Sequence, residues 1–391
     1  PMNAAAPPAA RPLRVCRFGT WREDYSRNRI LGAALRRAGV EVVDCHEPLW
    51  GSIEDRVRLA RGGWTAPAFA FRFVRAYARL LVRFFRTGAW DLLLLGYPGQ
   101  FDACLARPLA WLRRKPLVLD VFMSPWLIAS ERGLVARAPL TGRLLHAIER
   151  GALRLPDLLL QDTADYVAWL CREFRAPADR FRLVPTGADS DRFRPIPARR
   201  PDDGLFRVLY AGTFIPNHGV AAMIRAAARL RDEPAIRFTF IGDGPDKAEA
   251  EALARVENLV NVRFEGWTEP AALPARLAEA DLCLGAFGTT PQSLMTVQNK
   301  IYEALAMARP VVTGDGPAVR AAFTHGRELW LCPRQDPAAL ADAIRTLRAD
   351  PALRARLAEQ GRARFLEVGS IEALGARLRT HLESLLAARR R

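Results

Sequence analysis

Thr296-Val297-Gln298-Asn299-Lys300-Ile301-Tyr302-Glu303-Ala304-Leu305-Ala306-Met307-Ala308-Arg309-Pro310-Val311-Val312 decides how this chain is read. The stretch predicts a polar loop, a short helix, a tight Ala-Arg-Pro turn and a buried strand. Gln298 or Asn299 caps the helix and leaves its first amides open, and such a helix start attracts anions, phosphate above all. Glu303 lies four residues after Asn299, so both face one ligand. Amides for a pyrophosphate at Thr296–Asn299 and a carboxylate for ribose hydroxyls at Glu303 together suit a nucleoside diphosphate.

Outward from this stretch, short apolar strands alternate with amphipathic helices, the signature of parallel α/β sheets. The pattern predicts strands at Leu13–Phe18, Val40–Asp44, Asp91–Leu95, Pro116–Val121, Asp157–Leu160 and Phe181–Val184. It restarts at Arg207–Ala211, Arg237–Ile241, Val262–Glu265, Leu282–Leu284, Pro310–Val312 and Glu328–Leu331. A stretch rich in Pro, Asp, Arg and Gly, Thr186 to Gly204, separates the halves. The expected organisation is a disordered lead over 1–12, a first Rossmann-like domain over 13–195, a second over 196–369, and a last helix over 370–391 that packs back on the first domain. Two such domains leave a cleft between facing strand ends, where open α/β sheets bind ligands.

The 391 residues carry a net charge of +16 and a pI of about 10.6. That favours acidic partners: phosphorylated substrates, an anionic membrane or nucleic acid. Arginines spread along the chain without a nucleic-acid motif argue against the last. Six cysteines stand far apart with no Cys-x-x-Cys, which reads as buried or free thiols in a reducing compartment. Pro1-Met2 reads as a scar ahead of a native start. The absence of a signal peptide, and of any apolar run of roughly 18 residues, places the protein in the cytoplasm.

Tyr210-Ala211-Gly212-Thr213-Phe214-Ile215-Pro216-Asn217-His218-Gly219 follows a strand and opens a helix. Gly212 and Gly219 let backbone amides approach a ligand, and Thr213 and His218 add side-chain contacts; the competing reading is an ordinary strand-to-helix loop. Gly242-Asp243-Gly244-Pro245 lacks the third glycine of a Rossmann fingerprint, which excludes a nicotinamide dinucleotide site. Asp189-Ser190-Asp191 is a turn, and no His/Cys cluster has metal-ligand spacing, so no metal is expected. Gly19, Tyr97 and Ser124 fall at strand ends of the first half as candidate acceptor-facing residues. Asp120, also a strand end, is either a catalytic carboxylate or one satisfied by backbone amides.

Ala68 to Arg86 carries Arg72, Arg75, Arg79, Arg83 and Arg86 in one cationic stripe, with Phe, Tyr, Leu and Val over much of the remainder and Trp64 and Trp90 on its flanks. Such a helix lies in an anionic membrane interface or is a domain helix with a solvated face. Seven of the nine tryptophans (21, 50, 64, 90, 111, 126, 169) fall in the first half, which favours the membrane.

At this point the chain resembles glycosyltransferase family 4, a retaining family of the GT-B fold, over roughly Leu13 to Leu386. Pro185 to Pro195 resembles the family's interdomain run, Gly212 to Gly219 its first donor loop, and Asn299 to Met307 with Pro310-Val311-Val312 its donor helix and strand. The resemblance implies a nucleoside diphosphate sugar donor and no resident cofactor. Glu303 then binds the ribose, the 296–299 helix start the pyrophosphate, and Gly242, Asp243 and Gly244 lie near the base. It also implies metal-independent transfer with retention, in which the leaving diphosphate takes the acceptor proton. Asp120, His218 and Lys300 are the catalytic candidates. Three positions depart from the family: Met295 replaces a Glu eight residues before Glu303, His218 replaces a common Lys, and Asp120-Val121-Phe122-Met123 lacks a common His. This pattern resembles a bacterial subgroup. The leading expectation is transfer to a lipid-linked or cell-envelope polysaccharide acceptor on the inner membrane face. Transfer to a soluble acceptor and non-catalytic binding of a sugar nucleotide are the alternatives.

Overall fold

The computed structural model describes residues 11–22, 25–49, 67–198 and 202–390. The expected lead through residue 10, the scar at Pro1-Met2, Trp50 and Trp64 lie outside the described residues. The described chain builds two six-stranded parallel sheets. The first holds β1 (Arg14–Gly19), β2 (Glu41–His46), β3 (Leu92–Leu95), β4 (Leu117–Asp120), β5 (Leu158–Gln161) and β6 (Phe181–Leu183) in the order β2-β1-β3-β4-β5-β6. The second holds β7 (Phe206–Ala211), β8 (Ile236–Ile241), β9 (Val262–Glu265), β10 (Leu282–Leu284), β11 (Val311–Gly314) and β12 (Trp330–Cys332) in the order β12-β11-β10-β7-β8-β9. Each sheet turns back on itself once, between β1 and β3 and between β7 and β10. At such a reversal the loops leaving two adjacent strands diverge to opposite faces, which opens a crevice at their C-terminal ends.

By contacts the chain divides into one unit of Pro1–Leu160, Asp179–Arg182 and Gly375–Arg391 and a second of Gln161–Ala178 and Leu183–Leu374. From Gly375 onward the last helix (Ile371–Ala388) belongs to the first unit. There Gly375 sits against the Ala34 carbonyl, and Arg379 Nη1 donates to the Ala38 carbonyl at 3.0 Å.

The second sheet is buried on both faces, because alternate residues of a strand point to opposite sides. Val208 and Tyr210 join a core with Phe238, Phe240, Ile344 and Leu347. Leu209 joins the other, with Ile301, Leu305, Val311 and Phe365. Each fully buried side chain of this size contributes about 1.5–3 kcal/mol. The donor-type helix Asn299–Ala306 is therefore fixed from below, with Ile301, Tyr302 and Leu305 in the core.

The first unit contains two short helices that periodicity alone does not reveal, Pro125–Glu131 and Leu134–Arg137. The first is set by a local signal: Ser124 accepts from the Leu127 amide, with Pro125 opening the helix. Beneath it Glu149 is 1% exposed. Its Oε2 accepts from the Ser124 hydroxyl at 2.9 Å and the Trp126 amide at 3.0 Å, while Oε1 has no partner. Burial pushes this carboxyl up to about 8, against the pull of those two donors. A carboxyl raised in the folded state holds a proton that the unfolded chain has lost. Its contribution is therefore fully present below the ordinary glutamate range and lost as pH rises toward 8. Glu149→Gln removes this decline. Urea unfolding at about pH 5 and about pH 9 is expected to show the variant gaining roughly 3–4 kcal/mol on wild type between the two. Parallel pH profiles for the two proteins would contradict the burial argument.

Candidate functional site

The reversal in the second sheet brings the loop after β7 beside the start of the Asn299–Ala306 helix. Gly212 has a φ of +156°, and a Cβ there would stand 2.5 Å from the Lys300 Nζ. A side chain at 212 would displace that amine. Lys300 Nζ lies 4.0 Å from the centroid of the Tyr210 ring and 3.2 Å from His218 Nδ1. His218 Nδ1 is also 2.6 Å from the Thr213 carbonyl and 2.9 Å from the Tyr210 hydroxyl. A carbonyl only accepts, so the short contact to Thr213 assigns the ring proton to Nδ1. Burial, with Lys300 beside it, holds His218 well below the usual histidine range, and the ring is neutral. Burial likewise pushes Lys300 well below the usual lysine range, with the Glu303 charge opposing. The ammonium form thus has an aromatic face and a neutral imidazole for company, an arrangement that gains from an arriving anion.

The helix mouth is open. Gln298 is its N-cap residue, in an extended backbone conformation, and makes no side-chain cap. Gln298 Nε2 turns to the Thr296 hydroxyl at 3.3 Å, and its Oε1 is buried without a partner. Asn299 Nδ2 donates to the Gly187 carbonyl at 3.3 Å. Thr296 is spent on the Gln292 carbonyl at 2.8 Å, and the Val297 side chain is part of the core. Those two residues therefore offer backbone rather than side chains. Glu303 is partly buried one turn inside. The β8 loop abuts the β7 loop: the Gly212 amide donates to Ile241 O at 2.9 Å and the Phe214 amide to Asp243 O at 2.9 Å. The Asp243 carboxylate accepts from the Gly244 amide at 2.7 Å, and Lys247 Nζ donates to the Gly242 carbonyl at 2.9 Å. Met295 is buried, and its carbonyl accepts from the Thr163 hydroxyl at 2.5 Å.

The first-unit candidates gather at the β1/β3 reversal. Gly19 lies against the Asp102 carboxylate. Tyr97 is buried and exchanges hydrogen bonds with the Asn28 side chain, 2.9 Å to its amide and 2.7 Å from its carbonyl. Asp120 is committed elsewhere: Arg27 grips it through Nε at 3.0 Å and Nη2 at 2.8 Å, with both side chains buried. An ion-paired carboxylate of this kind favours the satisfied strand-end reading over proton transfer. Ser124, as described, is spent on capping and on Glu149, so neither residue presents a free group for chemistry.

All five arginines of the Pro67–Arg86 helix are exposed, with Arg83 paired to Glu47 at 2.6 Å. Ala76, Leu80 and Phe84 face the core. Phe71 (69% exposed), Val74 (66%), Val82 (54%) and Phe85 (56%) form a separate apolar ridge beside the arginines. Among the described residues no helix is long and apolar enough to cross a membrane, and no group of His, Cys, Asp and Glu is placed to hold a metal.

Sequence reasoning gave no role to Tyr210, Ser293, Arg334, Arg27 or Asp102. Tyr210 stood inside a quoted motif, and an aromatic residue two before the loop glycine was an available signal. The others bond to partners far away in sequence, which no local pattern announces.

Residues 206–350 match the family model described as glycosyl transferases group 1. A glycogen synthase of Mycobacterium tuberculosis is 30% identical over 225 residues, 57% of this chain and 53% of that protein, so the chain spans about half the length of that relative. Sucrose-phosphate synthase from Thermosynechococcus elongatus superposes with a TM-score of 0.71 at 21% identity, over 97% of this chain and 100% of that one. HepE of Anabaena, solved with UDP-glucose, gives 0.66 at 16% identity, over 95% and 100%. The two parallel-sheet units have the GT-B fold, and residues 206–350 match the group 1 glycosyl transferases.

Proposed function

We propose that the chain is a retaining glycosyltransferase of family 4 that moves a sugar from a nucleoside diphosphate sugar to a lipid-linked or cell-envelope glycan at the inner membrane face. The observation that carries this reading is the coincidence of the family match with one open helix mouth, one buried amine and one carboxylate a turn deeper. HepE, which shares the fold, binds UDP-glucose. In this reading Glu303 takes the ribose hydroxyls, the amides at 297–300 and Lys300 take the diphosphate, and Gly242 to Gly244 border the base. The anomeric carbon–oxygen bond to the diphosphate breaks as the acceptor oxygen bonds to the same face. The acceptor proton passes to the departing phosphate oxygen. Negative charge grows on that oxygen, where the amine and amides already point, and such preorganised donors supply most of the stabilisation without a metal. His218, neutral, fixes the Thr213 carbonyl and abuts the amine.

The acceptor side rests on the Pro67–Arg86 helix. A cationic ridge beside an apolar ridge is what an anionic lipid surface recognises, since the arginines meet headgroups while Phe71 and Phe85 enter the acyl boundary.

Four outcomes are expected. Calorimetric titration with UDP, ADP and GDP finds a binding nucleotide, and Glu303→Ala weakens it about ten- to a hundredfold with folding intact, the cost of one charge-assisted pair; unchanged affinity refutes the assignment. Hydrolysis of the matching nucleotide sugar excludes a purely non-catalytic binder. Binding near pH 8, measured in buffers of different ionisation enthalpy, takes up a net fraction of a proton at Lys300, so affinity falls as pH rises, and Lys300→Met abolishes the uptake. Flotation with phosphatidylglycerol vesicles retains the wild type, whereas Phe71→Ser with Phe85→Ser releases it. A wild type that ignores such vesicles favours a soluble acceptor.

A further inference from the structure

The guanidinium of Arg334 follows β12 and reaches over the strand ends of β11 and β10. Its Nε donates to the Asp315 carbonyl at 2.6 Å. Its Nη1 lies 2.7 Å from the Gly288 carbonyl, 3.3 Å from the Ala286 carbonyl and 3.0 Å from the Ser293 hydroxyl. Ser293, fully buried, passes its own proton on to the Asn217 carbonyl at 2.6 Å. Asn217 is the neighbour of His218. One side chain is thus joined, through a single hydroxyl, to the loop that holds the His218–Lys300 pair.

A second link runs through the backbone. The Phe287 amide donates to the His218 carbonyl at 2.9 Å. Gly288 is packed against the carbonyls of Pro216 and Asn217, and a Cβ on Gly219 would stand 2.6 Å from the Gly288 nitrogen. The loops after β7 and β10 interlock with no room for a side chain on either glycine. Arg334 holds the Gly288 carbonyl within that interlock. The fork geometry matters. Nε serves one strand end while Nη1 serves another, which a lysine's single ammonium cannot do from one position.

We propose that Arg334 is a positioning residue for the sugar-nucleotide site, holding the Gly285–Thr290 and Thr213–Gly219 loops in register through Gly288 and Ser293. The proposal rests on the donor-site reading above for its consequence in binding. It rests on this structure alone for its consequence in the loops. Arg334 touches neither the amine of Lys300 nor the helix mouth, so its effect on a ligand is transmitted.

The test uses the full chain, with Arg334→Lys to keep the charge and Ser293→Ala to cut only the relay. Amide hydrogen exchange is expected to rise in both loops in Arg334→Lys, and in Thr213–Gly219 alone in Ser293→Ala, with the strands of the second sheet unchanged in both. UDP, ADP and GDP serve as probes. The nucleotide that wild type binds is expected to bind about tenfold more weakly to Arg334→Lys, the effect of losing one charge-assisted hydrogen bond. The proton uptake at Lys300 is expected to shrink with it. Unaltered exchange in the Thr213–Gly219 loop of Arg334→Lys overturns the proposal, as does a uniform rise across the whole sheet, which marks general destabilisation. A wild type that binds none of the three nucleotides removes the donor reading, while the exchange pattern still decides the relay.

Discussion

The amine of Lys300 is the constraint around which the second unit is arranged. It lies over the Tyr210 ring and against an imidazole kept neutral by burial, surroundings that leave its ammonium form poorly matched. Such a charge is poorly solvated where it lies. The Glu303 charge helps it, but burial still holds it well below the usual lysine range. In the proposed donor site an arriving diphosphate offsets that cost, shared with the start of the Asn299–Ala306 helix, whose N-cap residue Gln298 makes no side-chain cap. Gly212 is required by the same amine, because any side chain there would occupy its place.

The sheets explain why this amine can exist at all. A buried lysine must be held by a framework stable enough to bear its cost. Here the framework is a sheet covered on both faces, with Val208 and Tyr210 in one core and Leu209 and Ile301 in the other. The reversal between β7 and β10 then opens a crevice at the strand ends. The two interlocked glycine loops and the start of the Asn299–Ala306 helix meet there. The first unit shows a different solution at its own reversal. Its charged groups there are already matched: Arg27 with Asp120, and Thr20 and Tyr77 with Asp102. The Pro67–Arg86 helix carries five exposed arginines of this unit on one face.

Most of the architecture was legible in the sequence. Every expected strand is present within a few residues, with Val262–Glu265 and Leu282–Leu284 at the expected bounds. Buried parallel strands announce themselves as apolar runs set off by turn residues, and this chain follows that rule. The short helices Pro125–Glu131 and Leu134–Arg137 were less legible, because one or two turns carry no period to read. The Ser124-Pro125 start was the available clue. In the candidate site, the loop motifs at Gly212–Gly219 and at the Asn299 helix start were legible as local patterns, and the fold brings Gly212, His218 and Lys300 together. Asp120 and Ser124 were legible as strand-end residues, but their partners Arg27 and Glu149 stand far away in sequence, and only the fold shows that they are taken. The apolar stripe of the Pro67–Arg86 helix was visible as composition. Its division into a buried row and an exposed row, Phe71 to Phe85, needed the packing.

The central claim is that a diphosphate completes the charge of Lys300 at the mouth of the Asn299–Ala306 helix. A crystal structure of the protein with its preferred nucleoside diphosphate tests this most directly. The account predicts a phosphate oxygen within hydrogen-bond distance of Lys300 Nζ and of the first helix amides, with the ribose hydroxyls on Glu303. A nucleotide seated away from these groups, with the amine still lying on Tyr210 and no anion beside it, would contradict it.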